Sequence, residues 1–303
     1  MNRRPLLAGI FASVALAALA AIAHVGPTVL YEGASRYNTI VVTEEDGLRI
    51  LRFGRGGARQ SAVKLGEPKF LALPYAQVAL VGLALPEEAR RFLVVGLGGG
   101  TLPMFLRNYY PNATIDAVDI DPDVVDVAKK FFGFREDEQM SAHVADGRQF
   151  IERSRQPFDV ILLDAFGASS IPVHLTTQEF LQAVRRAVTP GGVVVGNLWG
   201  HSANPLYDSM VRTYQEVFDE VLVLKVRDRA NVILLALPRK QSLGRDELTR
   251  LARKVSEAKR FPFDLGQLVK YGWVEAPERS QHARVLRDED PERSKPERRR
   301  YIH

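Results

Sequence analysis

The sequence predicts an α/β protein built on a doubly wound, mostly parallel sheet, and three observations carry that prediction. Short apolar runs alternate with amphipathic stretches at helical spacing between residues 91 and 195, the rhythm of parallel strands joined by crossover helices. The first run, Phe92 to Val95, passes directly into a turn holding Gly96, Gly98, Gly99 and Gly100. The next three runs are each followed by an aspartate, Asp119, Asp146 and Asp164, at the strand ends where such sheets bind ligands.

Upstream of the sheet, Thr39-Ile40-Val41-Val42 and Leu48-Arg49-Ile50-Leu51 flank an acidic turn with Asp46-Gly47, a strong hairpin signal. Gly54 and Gly56-Gly57 mark a second turn, so residues 37 to 64 read as a small antiparallel appendage. Phe70 to Leu85 is apolar and helix-compatible. Past the glycine turn, Thr101 to Tyr110 reads as a helix broken by Pro111-Asn112, and Ile115 to Val118 as the second strand. Pro122 to Phe132 has proline at the first helical position and valines at helical spacing. Ala142 to Val144 is the third strand, Arg148 to Arg153 a short helix and Phe158 to Leu163 the fourth strand. The helix over Thr177 to Val188 is expected to stop at Thr189-Pro190-Gly191-Gly192 before a fifth strand starts at Val193. Val221 to Val226 and Asn231 to Leu237 are expected to pair antiparallel at the sheet edge, and residues 245–260 form a charged amphipathic helix. The tail from about residue 279 has the composition of a disordered segment.

A strand, glycine turn, helix, strand and terminal acid make half of a nucleotide-binding unit: glycine permits a sharp turn and close approach, and the acid can hold ribose hydroxyls. Counted from Gly96, the dinucleotide pattern needs glycine at 101, where Thr101 stands. That favours a nucleoside without a pyrophosphate, such as an S-adenosyl sulfonium compound. Asp119 then takes the ribose, with Ile120 beside it, and Asp146 accepts from the adenine amino group while Gly147 lets the base lie against the backbone. Asp164 faces the reacting end, where a carboxylate takes a proton from an acceptor amine or steadies a sulfonium. His174 and His201 lack sequence-local partners and read as loop histidines. Ser169-Ser170 stand in no nucleophile elbow. Tyr109-Tyr110 and Phe131-Phe132 read as core or base-wall residues.

The chain has no cysteine, which removes disulfides, thiolate nucleophiles and cysteine-ligated zinc together. Its six histidines are scattered without ligand spacing, so no catalytic metal is expected. The net charge of +5 owes much to the terminal run of arginines, and no nucleic-acid partner is expected. At the other end, Arg3 and Arg4 precede an uncharged Ala/Leu-rich stretch from Pro5 to Ala23. Its nineteen residues would make a helix of about 28 Å, close to a bilayer's hydrocarbon thickness. Ala21-Ile22-Ala23 resembles a cleavage site. The stretch reads as a removable signal or a single N-terminal membrane helix, and the flanking charge points to export. Supply of a nucleoside cofactor instead places the catalytic unit in the cytoplasm.

With VVGLGGGTLP, AVDIDPDVVDVAKKFFGF, HVADGRQFI and FDVILLDAF followed by PVHLTTQEFL occurring in that order, the chain resembles the spermidine synthase-like family within the class I S-adenosylmethionine-dependent transferases. The resemblance covers about residues 35 to 240 and implies a Rossmann-like seven-stranded sheet with the cofactor across Gly96–Gly100, Asp119 and Asp146-Gly147. It implies Asp164 as the acid nearest the transferred group and Asn38, Tyr75 and Gln77 as substrate-pocket residues. Departures from the family matter more. Aminopropyltransferases carry an aspartate at the position of Thr101, which holds the free amine of decarboxylated S-adenosylmethionine. The family's second pocket acid is Gly167, and a third is Gln77. A polyamine is a multiply charged chain that needs several carboxylates to replace its hydration. The same turn, with threonine, resembles a eukaryotic domain that methylates protein amines and membrane-fused bacterial members of the family.

The reading that follows is methyl transfer from S-adenosyl-L-methionine to a small-molecule or protein amine, with Asp164 as base or orienting acid. The alternatives are aminopropyl transfer from decarboxylated S-adenosylmethionine, as in polyamine biosynthesis, and a non-catalytic membrane-tethered nucleoside-binding protein. Family analogy implies a homodimer. The expected organisation is a membrane anchor or signal at 1–30, the appendage and a helix at 31–85, and the nucleoside-binding catalytic unit at 86–240. A helical segment at 241–278 and a charged tail at 279–303 complete it.

Overall fold

The computed structural model describes residues 26–167, 171–275 and 283–290. The hydrophobic stretch at 5–23 and the pair Ser169-Ser170 lie outside them. Among the described residues no helix is long and apolar enough to cross a membrane. The expected membrane placement through an N-terminal helix is corrected accordingly and carried no further.

The strands of the described residues form two sheets. The first is antiparallel, in the order β1-β2-β3-β4, from β1 (Thr28–Ala34), β2 (Thr39–Glu45), β3 (Leu48–Phe53) and β4 (Arg59–Val63). The β2–β3 turn holds Asp46 at φ 52° and Gly47 at φ 73°, both left-handed, as a two-residue hairpin loop of matching twist requires. β1 carries no clear alternation, was not expected, and crosses the boundary anticipated at residue 30. The helix expected over 70–85 is shorter: α1 (Pro74–Ala79) begins where proline can start a helix, and a 3₁₀ turn over Leu80–Ala84 follows.

The second sheet runs β12-β10-β11-β9-β8-β5-β6-β7. Its parallel part comprises β5 (Arg91–Val95), β6 (Thr114–Asp119), β7 (Met140–Val144), β8 (Phe158–Leu163) and β9 (Val188–Trp199). The crossover helices are α2 (Thr101–Tyr109), α3 (Pro122–Phe131), α4 (Gly147–Arg153) and α5 (Gln178–Ala187). α6 (Tyr207–Val217) leads to β10 (Glu220–Lys225) and β11 (Asn231–Leu237), an antiparallel pair. The sheet has eight strands, where seven were expected. After α7 (Arg245–Lys259) and α8 (Leu265–Gly272), the two-residue β12 (Trp273–Val274) pairs with the outer side of β10. Helix α5 ends at Ala187, close to the expected stop. The start of the fifth strand is corrected from Val193, because β9 starts at Val188 and passes through Thr189-Pro190-Gly191-Gly192, with an irregularity in its pairing with β8. Proline and glycine are compatible with a strand where the ladder is already interrupted.

Strand periodicity puts alternate residues on opposite faces. Phe92 and Val94 of β5 join one apolar cluster, with α1, α2, α7 and α8; Leu93 and Val95 join the other, with α5 and α6. A third cluster holds the small sheet to α3, with Ile40, Val42, Leu51 and Val63 against Val124, Val127 and Phe132. Each such side chain contributes about 1.5–3 kcal/mol when fully buried. Polar latches aim the sheet at the glycine turn: the Ser35 hydroxyl bonds the Asp121 carboxylate, Arg49 donates to the Phe131 carbonyl at 3.0 Å, and Ser61 Oγ meets Thr101 Oγ1 at 2.8 Å.

The expectation of a disordered tail from about residue 279 is corrected for its described part. Within it, residues 283–290 lie on the domain, and Leu286 is fully buried in the α5–α6 cluster.

Candidate active site

β5 lies between β6 and β8, and the chain leaves it first toward β6 and later returns through β8. This is the topological switch at which the carboxyl ends of the strands open a crevice. Gly96 shapes its floor. It has φ 100°, and a Cβ there would stand 2.3 Å from the backbone oxygen of Asp164. The Asp164 N–H donates to the Val95 carbonyl at 2.8 Å. Absence of a side chain at 96 thus lets the segment after β8 lie directly against the glycine turn.

The other turn glycines answer to packing. A Cβ on Gly99 would meet Phe132 at 2.7 Å, and one on Gly100 would meet Phe134 at 2.6 Å. Gly98, at φ 53°, has its nearest such neighbour, Ser61, at 3.5 Å. Gly147 makes room for Val95, whose Cγ1 would be 2.5 Å from an added Cβ.

Asp119 sits beneath the turn. Its oxygens accept from the Leu97 and Asp121 N–H groups, each at 3.0 Å. Burial raises its pKa, opposed by backbone donation from Asp121, Leu97 and Gly98. A carboxylate has about four acceptor sites, and with three backbone donors on this one, acceptor capacity remains for about one hydroxyl of a sugar. Beside it Ile120 is 38% exposed, an apolar surface suited to a flat base.

Asp146 is more engaged than its turn position implied. One oxygen caps α4 by accepting from Gln149 N at 3.0 Å, and the other is 2.8 Å from His174 Nε2. His174, read as a loop histidine without a sequence-local partner, has a distant one, 28 positions upstream. His201 stays on the exterior, 3.4 Å from Asp208. Tyr109 and Tyr110 pack in the core with Phe105, Phe92 and Phe261, and Phe132 fills the small-sheet cluster.

Asp164 is held from two sides. Tyr75 OH donates to Oδ2 at 2.9 Å, and Asn197 Nδ2 donates to Oδ1 at 2.8 Å. Asn197 Oδ1 in turn accepts from Asn231 Nδ2 at 2.9 Å. Because a carboxylate only accepts, it fixes the direction of both amides. Burial pushes the Asp164 pKa up to about 6, against the lowering effect of the Asn197 and Tyr75 bonds. Phe166 and Trp199 pair at 5.3 Å just beyond it, and an apolar recess lined by Leu163, Ala165, Leu198 and Tyr214 adjoins it.

The raised pKa has a consequence for stability. The native state binds the proton more tightly than the unfolded chain, so ionising Asp164 costs stability as pH rises from the ordinary carboxylate range through about 6. Asp164→Asn is expected to melt higher than the parent at pH 8, and the gap should close near pH 4. Thermal denaturation across that range checks this; a pH-independent gap would count against it.

Of the expected pocket residues, Tyr75 alone joins Asp164. Gln77 spends its amide on the Leu71 carbonyl at 2.8 Å, and Asn38 closes the β1–β2 turn through Ser35. Thr101 opens α2 with its hydroxyl on Ser61. Asn197, Asn231 and Ser61 were not anticipated. The available signal was an asparagine inside the apolar run Val193–Leu198, since a buried amide in a strand demands a partner. Among the described residues no trio of His, Asp or Glu is placed to hold a metal.

Residues 76–223 match the model of the spermine/spermidine synthase domain. A polyamine aminopropyltransferase of Vibrio vulnificus is 36% identical over 227 residues, 71% of this chain and 75% of the relative. The human eEF1A lysine and N-terminal methyltransferase is 34% identical over 216 residues, 65% of this chain but 31% of the relative. Among solved structures, human methyltransferase-like protein 13 in complex with SAH superposes with a TM-score of 0.58 at 31% identity, covering 68% of this chain and 97% of that one. A spermidine synthase bound to the transition-state analogue AdoDATO shares the fold, with a TM-score of 0.62 at 20% identity, covering 82% and 85%. The sheet order, the crevice at the switch point and these likenesses agree: the chain belongs to the spermine/spermidine synthase family, on the class I S-adenosylmethionine-type fold.

Proposed function

We propose that this protein is an S-adenosylmethionine-dependent methyltransferase acting on an amine. One observation carries the choice: the acids the site lacks. Thr101 occupies the family's amine-holding aspartate position, and its hydroxyl is engaged by Ser61. At the acceptor end Asp164 is held by neutral groups, Tyr75 and Asn197, with no second carboxylate among the described residues acting on it. A neutral turn does not repel the carboxylate of intact S-adenosylmethionine, and one acid matches one ammonium. Asp119, Ile120 and the glycine turn fit the nucleoside, as acceptor, apolar wall and backbone cradle.

When bound, S-adenosylmethionine supplies an electrophilic methyl group on sulfur. The residues of this chain orient the acceptor and manage its proton. Asp164, ionised, would take the proton from the acceptor ammonium and so leave the nitrogen lone pair free toward the methyl group the cofactor would supply. The Tyr75 and Asn197 donors hold the carboxylate in place, and the Phe166–Trp199 pair borders the acceptor's approach. Turnover is expected to rise as pH passes about 6, where Asp164 ionises; a pH–rate profile flat from 5 to 8 would remove Asp164 as the base.

Aminopropyl transfer is the second reading, favoured by the 36% identity to the Vibrio enzyme. Mass spectrometry of products from each cofactor with putrescine, monoamines and peptide amines separates the two. Thr101→Asp should shift preference toward decarboxylated S-adenosylmethionine by about 10- to 100-fold, the worth of a charge-assisted hydrogen bond. Calorimetry with both cofactors reads the shift. Tight binding of the decarboxylated form by the parent chain, with none of S-adenosylmethionine, would sink the methyl reading.

A further inference from the structure

Residues 283–290 stand apart from the motifs of the site, yet their contacts lead back to it. Leu286 is the anchor, fully buried among α5, α6 and the sheet. Its carbonyl accepts from Gln178 N at 2.7 Å, and its N–H donates to Thr213 Oγ1 at 3.0 Å. Gln178 is the first residue of α5, so the segment satisfies an N–H that helix geometry leaves without an internal partner. Asp288 N donates to Glu179 Oε2 at 3.0 Å.

The charged contact is directional. Arg148 grips Asp288 with both terminal nitrogens, at 2.8 and 2.7 Å, while its Nε reaches Glu152 at 2.9 Å. Arg148 follows Gly147 in the expected base pocket, and it also reaches the His174 carbonyl at 3.4 Å. Thr177, the residue that caps α5, donates to the Asp288 carboxylate. Asp288 therefore ties the first turn of α4 to the start of α5. Between these two ties lies the turn bearing His174, whose ring meets Asp146 at 2.8 Å. A bidentate Arg–carboxylate pair is among the most orienting polar contacts available.

We infer that the C-terminal segment is a strap that completes the nucleoside pocket, with Asp288 as a positioning residue that sets His174 and Asp146 through Arg148 and Thr177. The inference rests on the nucleoside reading of the glycine-turn edge. It makes cofactor affinity depend on a residue far from the glycine turn in sequence. Arg148 and His174 act on the Asp288 carboxylate, Glu179 accepts from its backbone N–H, and the Arg148 bond holds the carboxyl below its ordinary pKa. Asparagine at 288 would turn an amide N–H toward the guanidinium and break the fork, whereas glutamate keeps both acceptor oxygens.

The test uses the full chain and S-adenosylhomocysteine as probe. Calorimetry on the parent, Asp288→Asn, Asp288→Glu and the charge-swapped pair Arg148→Asp with Asp288→Arg should show about tenfold weaker binding for Asp288→Asn. Glutamate and the swapped pair should recover most of it. Thermal denaturation of each variant separates fold from pocket. Unchanged affinity in a folded Asp288→Asn protein, or a lower melting temperature alone, overturns the strap's role. Failure of the swapped pair and of glutamate to recover affinity overturns the Arg148 route. No binding by the parent chain would remove the nucleoside reading itself, and with it the strap.

Discussion

Asp164→Asn should lower turnover by about 10²- to 10⁴-fold, the usual contribution of a positioned acid or base, while binding of S-adenosylhomocysteine stays within a few-fold of the parent. The asymmetry follows from geometry. Asp164 bonds Tyr75 and Asn197, whereas Asp119 beneath the turn and Asp146 at the start of α4 have separate partners. Asparagine can still accept from Asn197 and donate to the Tyr75 oxygen, so the pocket keeps its shape and loses the group proposed above to take the proton. Single-turnover rates alongside calorimetry decide it. Unchanged turnover would strike Asp164 from the mechanism; lost nucleoside binding would make it a structural residue instead.

Gly96→Ala should be the most damaging single-methyl change in the crevice. The added Cβ would lie 2.3 Å from a backbone oxygen, that of Asp164, which cannot rotate away, and φ is 100°. Strain in the backbone and overpacking each cost about 1–3 kcal/mol, so a loss of about 3 kcal/mol or more is expected. For a domain of this size that corresponds to a fall in melting temperature of roughly 6–12 °C. Gly98→Ala is the internal comparison: its nearest neighbour would be Ser61 at 3.5 Å, leaving the positive φ as its main cost. Differential scanning calorimetry of both variants tests the ordering. Equal losses would show that φ alone, and not the Asp164 contact, dictates glycine at 96.

Legibility varied with the range of the interaction. The parallel strands, their helices and the Asp46-Gly47 hairpin were readable because periodicity and turn chemistry are local. β12 and the docking of Leu286 were not, since two residues of strand and one buried leucine are defined by what they land on. The Thr189–Gly192 segment misled for a related reason: a neighbouring strand made a breaker motif part of β9. At the site, Asp119 and Asp164 could be named from their places after strands. Asn197, Asn231 and His174 could not, because their partners are 28 to 34 positions away in the chain.

By itself the sequence determined the parallel strands, their helices and the edge at which three aspartates follow strands, and the family resemblance added the replacement of the turn aspartate by Thr101. The first three follow from patterns within one strand, helix or turn. Tertiary structure decided the rest: that Gly96 is glycine for the sake of Asp164, that Tyr75 joins Asp164 while Gln77 and Asn38 do not, and that Asp146 is shared with His174. The reason is physical. Which donor reaches a buried carboxylate depends on how strands distant in the chain are set side by side, and that order is fixed by packing apolar faces across the whole sheet.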